Sequence, residues 1–260
     1  MTASLVVRRA SLGDFVLTLP VLRALATLGP VHVATHARYA PLLPPGAVLH
    51  DDAWLWRGDP PPLPFARAVA FGSVAAEALA ATGIPTRVAA PRPPPGVHAV
   101  DHYATVLDLP YDRRPRVSVP PDPTARGRVV LAPGSGGREK RWPMERWRAV
   151  ADMLPARPIW VRGPDEVEEA GWPADARCPD LPALAALAAG CDAWLGPDAG
   201  PSHLAAAVRE DPAAIGVIFG PTDPATWAPV GARHWPWDTD PGVLVAWVRS
   251  FLRNPDAAGR

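Results

Sequence analysis

Short apolar runs alternate with helix-length segments along most of the chain, and this alternation predicts an α/β protein built from βα units. Residues 4–7 form the first apolar run. The segment 14–28 that follows is apolar almost all round, which predicts a buried central helix. The first half continues with strands expected at 31–35, 66–71 and 86–89 and helices expected at 73–82 and 98–109.

The stretch 110–127 interrupts this pattern. It is rich in Pro and Arg and has little periodicity, so we interpret it as a linker. The pattern then restarts, with strands expected at 128–132, 159–162, 193–195 and 215–219 and helices expected at 144–154, 164–170, 181–189, 201–208 and 243–252.

This organisation predicts two domains, residues 1–115 and 116–260, each large enough to fold as a doubly wound sheet. The last helix, at about 241–254, could pack back on the first domain. Ligands of doubly wound sheets bind beyond the carboxyl ends of the strands, so the cleft between the two domains is the expected site.

Composition narrows the function classes. The 26 basic and 26 acidic side chains give a net charge of zero, and the sequence has no basic patch that would indicate a nucleic-acid partner. Of the 26 basic residues only Lys140 is a lysine, which we interpret as genomic G+C bias, and the scarcity of amide side chains is thermophile-like. Cys178 and Cys191 lack metal-ligand spacing, so no metal site is expected. With no apolar run of about 18 residues, we expect a cytoplasmic protein that could still visit a membrane surface.

The first segment that could carry chemistry is Ser-Leu-Gly-Asp at 11–14, between the first strand and the first helix. Its glycine permits a tight turn, and Asp14 falls at a helix N-terminus. Two interpretations stay open. Asp14 could be a helix N-cap, or its carboxylate could serve as a general base.

The second segment, at 133–143, follows the first strand of the second half and precedes a helix. Small residues such as Ser135 and Gly136 let backbone amides approach an anion, and Lys140 could neutralise phosphate charge. The spacing fits neither a Walker A loop nor the dinucleotide fingerprint. The alternative is a flexible surface loop with solvated charges.

The third segment, at 196–207, again joins a strand to a helix and could form a second phosphate-binding loop. Glu166, after another strand, could meet ribose hydroxyls or simply start an exposed helix. His203 of the third segment could instead be structural, since a single histidine is more often structural than functional, and that alternative stays open. The candidates in the third segment are Asp198, Ala199, Gly200 and His203.

Taken together, these segments resemble glycosyltransferase family 9, the ADP-heptose:lipopolysaccharide heptosyltransferases and their relatives. The resemblance covers nearly the whole chain and is carried by SLGDFVLTLPVLRAL, HAVDHYATVLDL, LAPGSGGREKRWPMERW, RGPDEVEEAG, GPDAGPSHLAAAV and FGPTDPATWAP. It implies a GT-B fold, two Rossmann-like domains facing across a cleft. It also implies metal-independent, inverting transfer of a sugar, without a cofactor, from a nucleotide donor to an acceptor hydroxyl.

The resemblance also implies roles for the candidate residues. Asp14 is similar to the general base of the family, and Glu166 to an acidic residue near the nucleoside. The remaining candidates match the family's diphosphate-binding residues: Ser135, Gly136, Lys140, Asp198, Ala199, Gly200 and His203.

The chain departs from the family in its length. Members are usually longer, and the missing length falls mostly between residues 37 and 69, in the half that normally holds the acceptor. The resemblance implies an ADP-sugar donor, ADP-heptose first, and a cell-envelope glycan or glycolipid acceptor at the inner membrane surface. Two alternatives stay open: a non-catalytic nucleotide-binding or scaffold relative, and a sugar-nucleotide epimerase.

Overall fold

The chain divides into two units, Met1–Val117 and Ser118–Arg260, each built around a five-stranded parallel sheet. The computed structural model describes residues 3–166 and 171–252. The division falls within the Pro- and Arg-rich stretch 110–127. Parallel strands joined by helices agree with the α/β class predicted from the alternation of apolar runs.

Unit 1 has the strand order β3-β2-β1-β4-β5. Val6 at the sheet centre pairs with Val33 on one side and Val69 on the other. The strands are β1 (Ala3–Val7), β2 (Val31–Ala34), β3 (Ala47–Leu49), β4 (Phe65–Phe71) and β5 (Thr86–Ala89). The helices are α1 (Leu12–Ala26), α2 (Ala53–Arg57), α3 (Ser73–Ala80) and α4 (Ala99–Ala104).

Helix α1 is buried on nearly every side, as its apolar composition predicts. It begins at Leu12, two residues earlier than the sequence pattern indicates, because Ser11 caps its N-terminus. Strand β3 was not predicted. It is a run of only three apolar residues at the sheet edge, too short to show the periodicity of a strand, and Val48 and Leu49 are exposed.

Unit 2 has the strand order β10-β9-β8-β6-β7, and Leu195 of its central strand pairs with Leu131 and Gly216. The strands are β6 (Val129–Leu131), β7 (Ile159–Trp160), β8 (Ala193–Pro197), β9 (Ile215–Phe219) and β10 (Arg233–Pro236). The helices are α5 (Met144–Met153), α6 (Leu181–Gly190), α7 (Gly200–Val208), α8 (Pro224–Trp227) and α9 (Pro241–Arg249).

The last helix packs within its own unit. Leu244, Val245 and Val248 of α9 are buried in the core of unit 2 together with Trp147 of α5. The helical spacing of these apolar side chains brings them together in the tryptophan-rich core of unit 2. Packing of this helix on the first domain stays a prediction.

The predicted helix at 164–170 is described only over its first turn, a short 3-10 helix at Pro164–Glu166; residues 167–170 lie outside the described residues. Within residues 3–166 and 171–252, no helix combines the length and the apolar character that crossing a bilayer requires.

The parallel arrangement sets where polar loops can meet. Because all strands of one sheet run in the same direction, the loops that follow them gather at one edge. In unit 1 the loop after β1 leads to Asp14. In unit 2 the loops after β6, β7 and β8, together with the start of α7, carry the remaining candidate residues.

Candidate active site

The centre of the polar cluster in unit 2 is Asp198, which directly follows β8 and is 3% exposed. Its Oδ2 accepts a hydrogen bond from Lys140 Nζ at 2.9 Å and another from Thr222 Oγ1 at 2.6 Å. His203 Nε2 lies 3.4 Å from Oδ1. One buried carboxylate therefore joins the loops after β6, β8 and β9.

These contacts determine the charge of Asp198. Burial alone would raise the pKa of this carboxyl, but His203, Thr222 and Lys140 outweigh it and lower the pKa to about 2. Asp198 is therefore ionised at neutral pH and can hold the Lys140 ammonium in a fixed position.

His203 lies in the first turn of α7 and is 5% exposed. Because Nε2 faces the Asp198 carboxylate, Nε2 is the nitrogen that carries the proton. Nδ1 is buried and has no hydrogen-bond partner among the residues that the structure describes. The contact to Asp198 makes His203 part of the site cluster rather than an isolated core histidine.

The N-terminus of α7 is formed by backbone alone. Ala199 is its N-cap and offers no side-chain oxygen, and Pro201 has no N–H to donate. Gly196, three residues before Ala199, is needed for close packing, since a Cβ there would lie 2.6 Å from Ser202 Oγ. The half-buried Ala199–Gly200 backbone thus borders the Asp198 cluster with a positive helix end.

The loop after β6 packs against a buried glutamate. Glu166, 3% exposed, accepts a hydrogen bond from Gly163 N at 2.7 Å and lies 3.4 Å from Arg141 Nη2. A Cβ on Gly134 would overlap both Glu166 carboxylate oxygens, so only glycine allows this approach. Glu166 is therefore a buried residue, not part of an exposed helix start.

Ser135 and Gly136 lie in the same loop but differ in exposure. Ser135 is 6% exposed, and its carbonyl accepts a hydrogen bond from Arg141 Nε at 2.7 Å. Gly136 is exposed, with open space where a Cβ would be. Arg141 thus links Ser135 to Glu166, while the next residue back, Lys140, links the loop to Asp198.

In unit 1, Asp14 occupies the third position of α1 rather than its cap. Ser11 is the N-cap, and its Oγ accepts from Asp14 N at 3.5 Å and donates to Asp14 Oδ2 at 2.9 Å. The N-cap interpretation of Asp14 is therefore wrong. Its side chain is 31% exposed, so a substrate hydroxyl could reach it.

Two residues that sequence reasoning missed contact the other Asp14 oxygen. Tyr103 Oη lies 3.1 Å from Oδ1 and also 3.1 Å from the Pro91 carbonyl, and it can donate to only one of them at a time. Arg8 Nη2 lies 3.5 Å from Oδ1. Burial raises the pKa of Tyr103, so its hydroxyl stays protonated and remains a donor.

The structure thus forms two groups of candidates and adds partners to each. Lys140 and His203 each contact Asp198, and so does Thr222, which was not among the candidates from the sequence. Asp14 lies in the other unit, with Arg8 and Tyr103. In residues 3–166 and 171–252, no group of three or more His, Cys, Asp or Glu side chains is arranged to hold a metal ion.

Two parallel α/β units with polar loops at the carboxyl edges of their sheets agree with the two Rossmann-like domains of the GT-B fold. The sequence profile described as glycosyltransferase family 9 (heptosyltransferase) matches residues 104–236, just over half of the chain. The chain therefore belongs to glycosyltransferase family 9. A search of curated proteins returned no match.

Solved structures agree on the fold. E. coli ADP-heptose LPS heptosyltransferase II is 19% identical, with a TM-score of 0.73 over 97% of this chain and 98% of that chain. The family 9 glycosyltransferase from Veillonella parvula DSM 2008 is 16% identical, with a TM-score of 0.67 over 97% and 92%. E. coli heptosyltransferase WaaC with ADP is 14% identical, with a TM-score of 0.65 over 96% and 99%.

The segment that matches the family contains every candidate of unit 2 but not Asp14. Membership therefore rests on the part of the chain with the Asp198 cluster. Asp14 is a candidate site residue because of its position after β1 and its contacts, not because of the family match.

The lowered pKa of Asp198 predicts how stability depends on pH. A carboxyl whose folded pKa of about 2 lies below its unfolded value of 3.8 stabilises the fold above pH 4 and loses that contribution as the pH falls towards 2. The shift corresponds to about 2 kcal/mol at neutral pH. Urea unfolding should show a difference between wild type and Asp198→Asn that is largest at pH 7 and shrinks by pH 3. A difference that does not change with pH would contradict this assignment.

Proposed function

We propose that the protein transfers a sugar from an ADP-sugar, most simply ADP-heptose, to a hydroxyl of a cell-envelope glycan or glycolipid, with inversion and without a metal. The observation that carries the proposal is the buried Asp198 carboxylate bonded to Lys140 beside the N-terminus of α7. This arrangement offers an oriented cation and backbone amides at one place, which is what a diphosphate requires.

Lys140 is suited to contact a phosphate because it is held but not buried. Its ammonium has three N–H donors, and the contact to Asp198 Oδ2 uses one of them. The side chain remains 27% exposed, so the other donors can face a ligand. Fixing the ammonium before binding lowers the entropy cost of ordering it on the ligand.

The same groups would stabilise the leaving group. When the bond between the anomeric carbon and the β-phosphate breaks, negative charge builds on the phosphate oxygens. Lys140, the backbone amides around Ser135 and Gly136, and the Ala199–Gly200 helix end would face that charge in the transition state. His203 would lie beside them with its buried Nδ1 free for a further polar contact.

We propose an adenine nucleotide as the nucleotide of the donor. Its support is that E. coli WaaC has been solved with ADP and with ADP-2-deoxy-2-fluoro heptose on the same fold. We propose Glu166 near the nucleoside, where a carboxylate oxygen would accept hydrogen bonds from ribose hydroxyls. Its fixed position under the Gly134 loop supports such a role.

The acceptor hydroxyl must lose a proton as it attacks, and we propose Asp14 as the base that takes it. Its carboxylate lies at the carboxyl edge of unit 1 and can accept a proton. It is partly exposed, so a hydroxyl can reach it, and Ser11 and Tyr103 fix its orientation. The proposal places the reaction in the cytoplasm, with peripheral contact with the inner membrane surface when the acceptor is a glycolipid.

Asp14→Asn tests the base. This change keeps the size of the side chain but removes the basic oxygen, so transfer should fall by about 10²–10⁴-fold. ADP affinity, measured by titration calorimetry, should stay as in wild type. Asp101→Asn is the matched control, since Asp101 bonds to Tyr111 and Arg113 in the same unit and should leave transfer unchanged. Unchanged turnover in Asp14→Asn would remove the base assignment.

Lys140→Ala tests the diphosphate site. Losing a charge-assisted contact to phosphate should weaken ADP binding by about 10–100-fold in calorimetry. Arg138→Ala removes an exposed cation from the same short 3-10 helix, Arg138–Lys140, and should change ADP affinity little. Equal losses in the two variants would indicate general attraction by charge and not a placed lysine.

A further inference from the structure

We infer that Arg8 is a positioning residue for Asp14. Its guanidinium and Tyr103 together hold Oδ1, which leaves Oδ2 to take the proton from the acceptor hydroxyl. This inference rests on the proposed role of Asp14 as the base. It assigns a task to a buried cation that neither the sequence motifs nor the donor site explains.

Arg8 is an unusual residue to find in this position. It follows β1 directly and is 3% exposed, although arginine is rarely buried unless it is paired. Its guanidinium carbon lies 4.8 Å from the ring centre of Phe71 and 4.6 Å from that of Tyr103. These two cation–π contacts fix the plane of the guanidinium beside Asp14.

The donors of Arg8 are not all satisfied. Within the described part of the chain, Nε and Nη2 have no hydrogen-bond partner, and Nη2 stops 3.5 Å from Asp14 Oδ1. Leaving donors of a buried cation unpaired is unfavourable. Closing this gap to about 2.9 Å would form a charge-assisted hydrogen bond, and contacts of this kind often tighten only when substrate binds.

The contacts of Asp14 are unequal on its two oxygens. Oδ1 faces Arg8 and Tyr103, whereas Oδ2 accepts only from Ser11 Oγ among the contacts seen, at 2.9 Å. A serine hydroxyl can rotate away at little cost, but a guanidinium held between two rings cannot. Oδ2 is therefore the oxygen available for proton transfer.

The charged groups that neighbour Arg8 and Tyr103 in sequence are engaged elsewhere. Arg9 forms a bidentate ion pair with Asp52. On α4, the helix that supplies Tyr103, Asp101 is bonded to Arg113, and His102 contacts the Ala90 carbonyl. Arg8 is thus the guanidinium directed at Asp14.

A double-mutant cycle in thermal unfolding tests the pairing without any substrate. Asp14→Asn in the wild-type background leaves the buried Arg8 cation without its counter-charge, so Tm should fall. In the Arg8→Met background no buried cation remains, and the same Asp14→Asn change should lower Tm by about half as much or less. If Arg8 merely fills space between two rings, the two losses in Tm will add, and the inference is overturned.

Arg9→Met is the matched control for this cycle, because it removes the neighbouring guanidinium whose partner is Asp52. Its effect on Tm should add to that of Asp14→Asn. If Arg8→Met does not fold, Arg8→Lys replaces it in the same cycle. Lysine keeps the charge but loses the planar fork, so coupling to Asp14 should persist in weaker form, and full additivity would again overturn the inference.

Kinetics separates this inference from the proposed function. Arg8→Met should lower kcat by about tenfold or more, with the donor KM and ADP affinity unchanged, and Arg8→Lys should restore part of the loss. A folded Arg8→Met with wild-type kcat overturns the positioning role. If Asp14→Asn keeps full transfer while the Tm coupling between residues 8 and 14 is present, the base assignment has failed, and the pairing still stands.

Discussion

The loop arrangement of unit 2 depends on one buried carboxylate. Asp198 joins three segments that are far apart in sequence, through Lys140, His203 and Thr222, and it stays ionised because these groups together outweigh the effect of burial. A buried anion without partners would be unfavourable. The three partners therefore stabilise the fold as well as the loops that we propose as the ligand site.

This constraint explains why the single lysine of the chain lies where it does. Its ammonium meets Asp198 Oδ2 and still has donors left over, whereas a guanidinium is larger and demands a planar fork of acceptors. The start of the loop after β6 is constrained in a similar way, because Gly134 leaves the space that the Glu166 carboxylate fills. Two buried acids thus shape the two neighbouring loops that we propose as the diphosphate and nucleoside sites.

Much of this could be predicted from the sequence, and the exceptions share a physical reason. Buried parallel strands and their glycine-rich loops leave strong local signals, which is why the α/β class and the loops with Lys140 and Asp198 were recognised. Thr222, Tyr103 and Arg8 act through contacts with residues distant in sequence, and each looks ordinary in its own segment. Strand β3 was missed because it is a three-residue strand at the edge of its sheet. The packing of α9 depends on the core of unit 2, whose residues are distant in sequence.

We propose that unit 2 holds the diphosphate of an adenine nucleotide by protein groups alone. Thermal unfolding with ADP, UDP or GDP in buffer containing EDTA tests it most directly, since a ligand that binds the folded state raises Tm. We predict that ADP raises Tm without added metal and does so more than UDP or GDP at the same concentration. No shift with ADP, a shift that requires Mg²⁺, or a larger shift with UDP or GDP would contradict it.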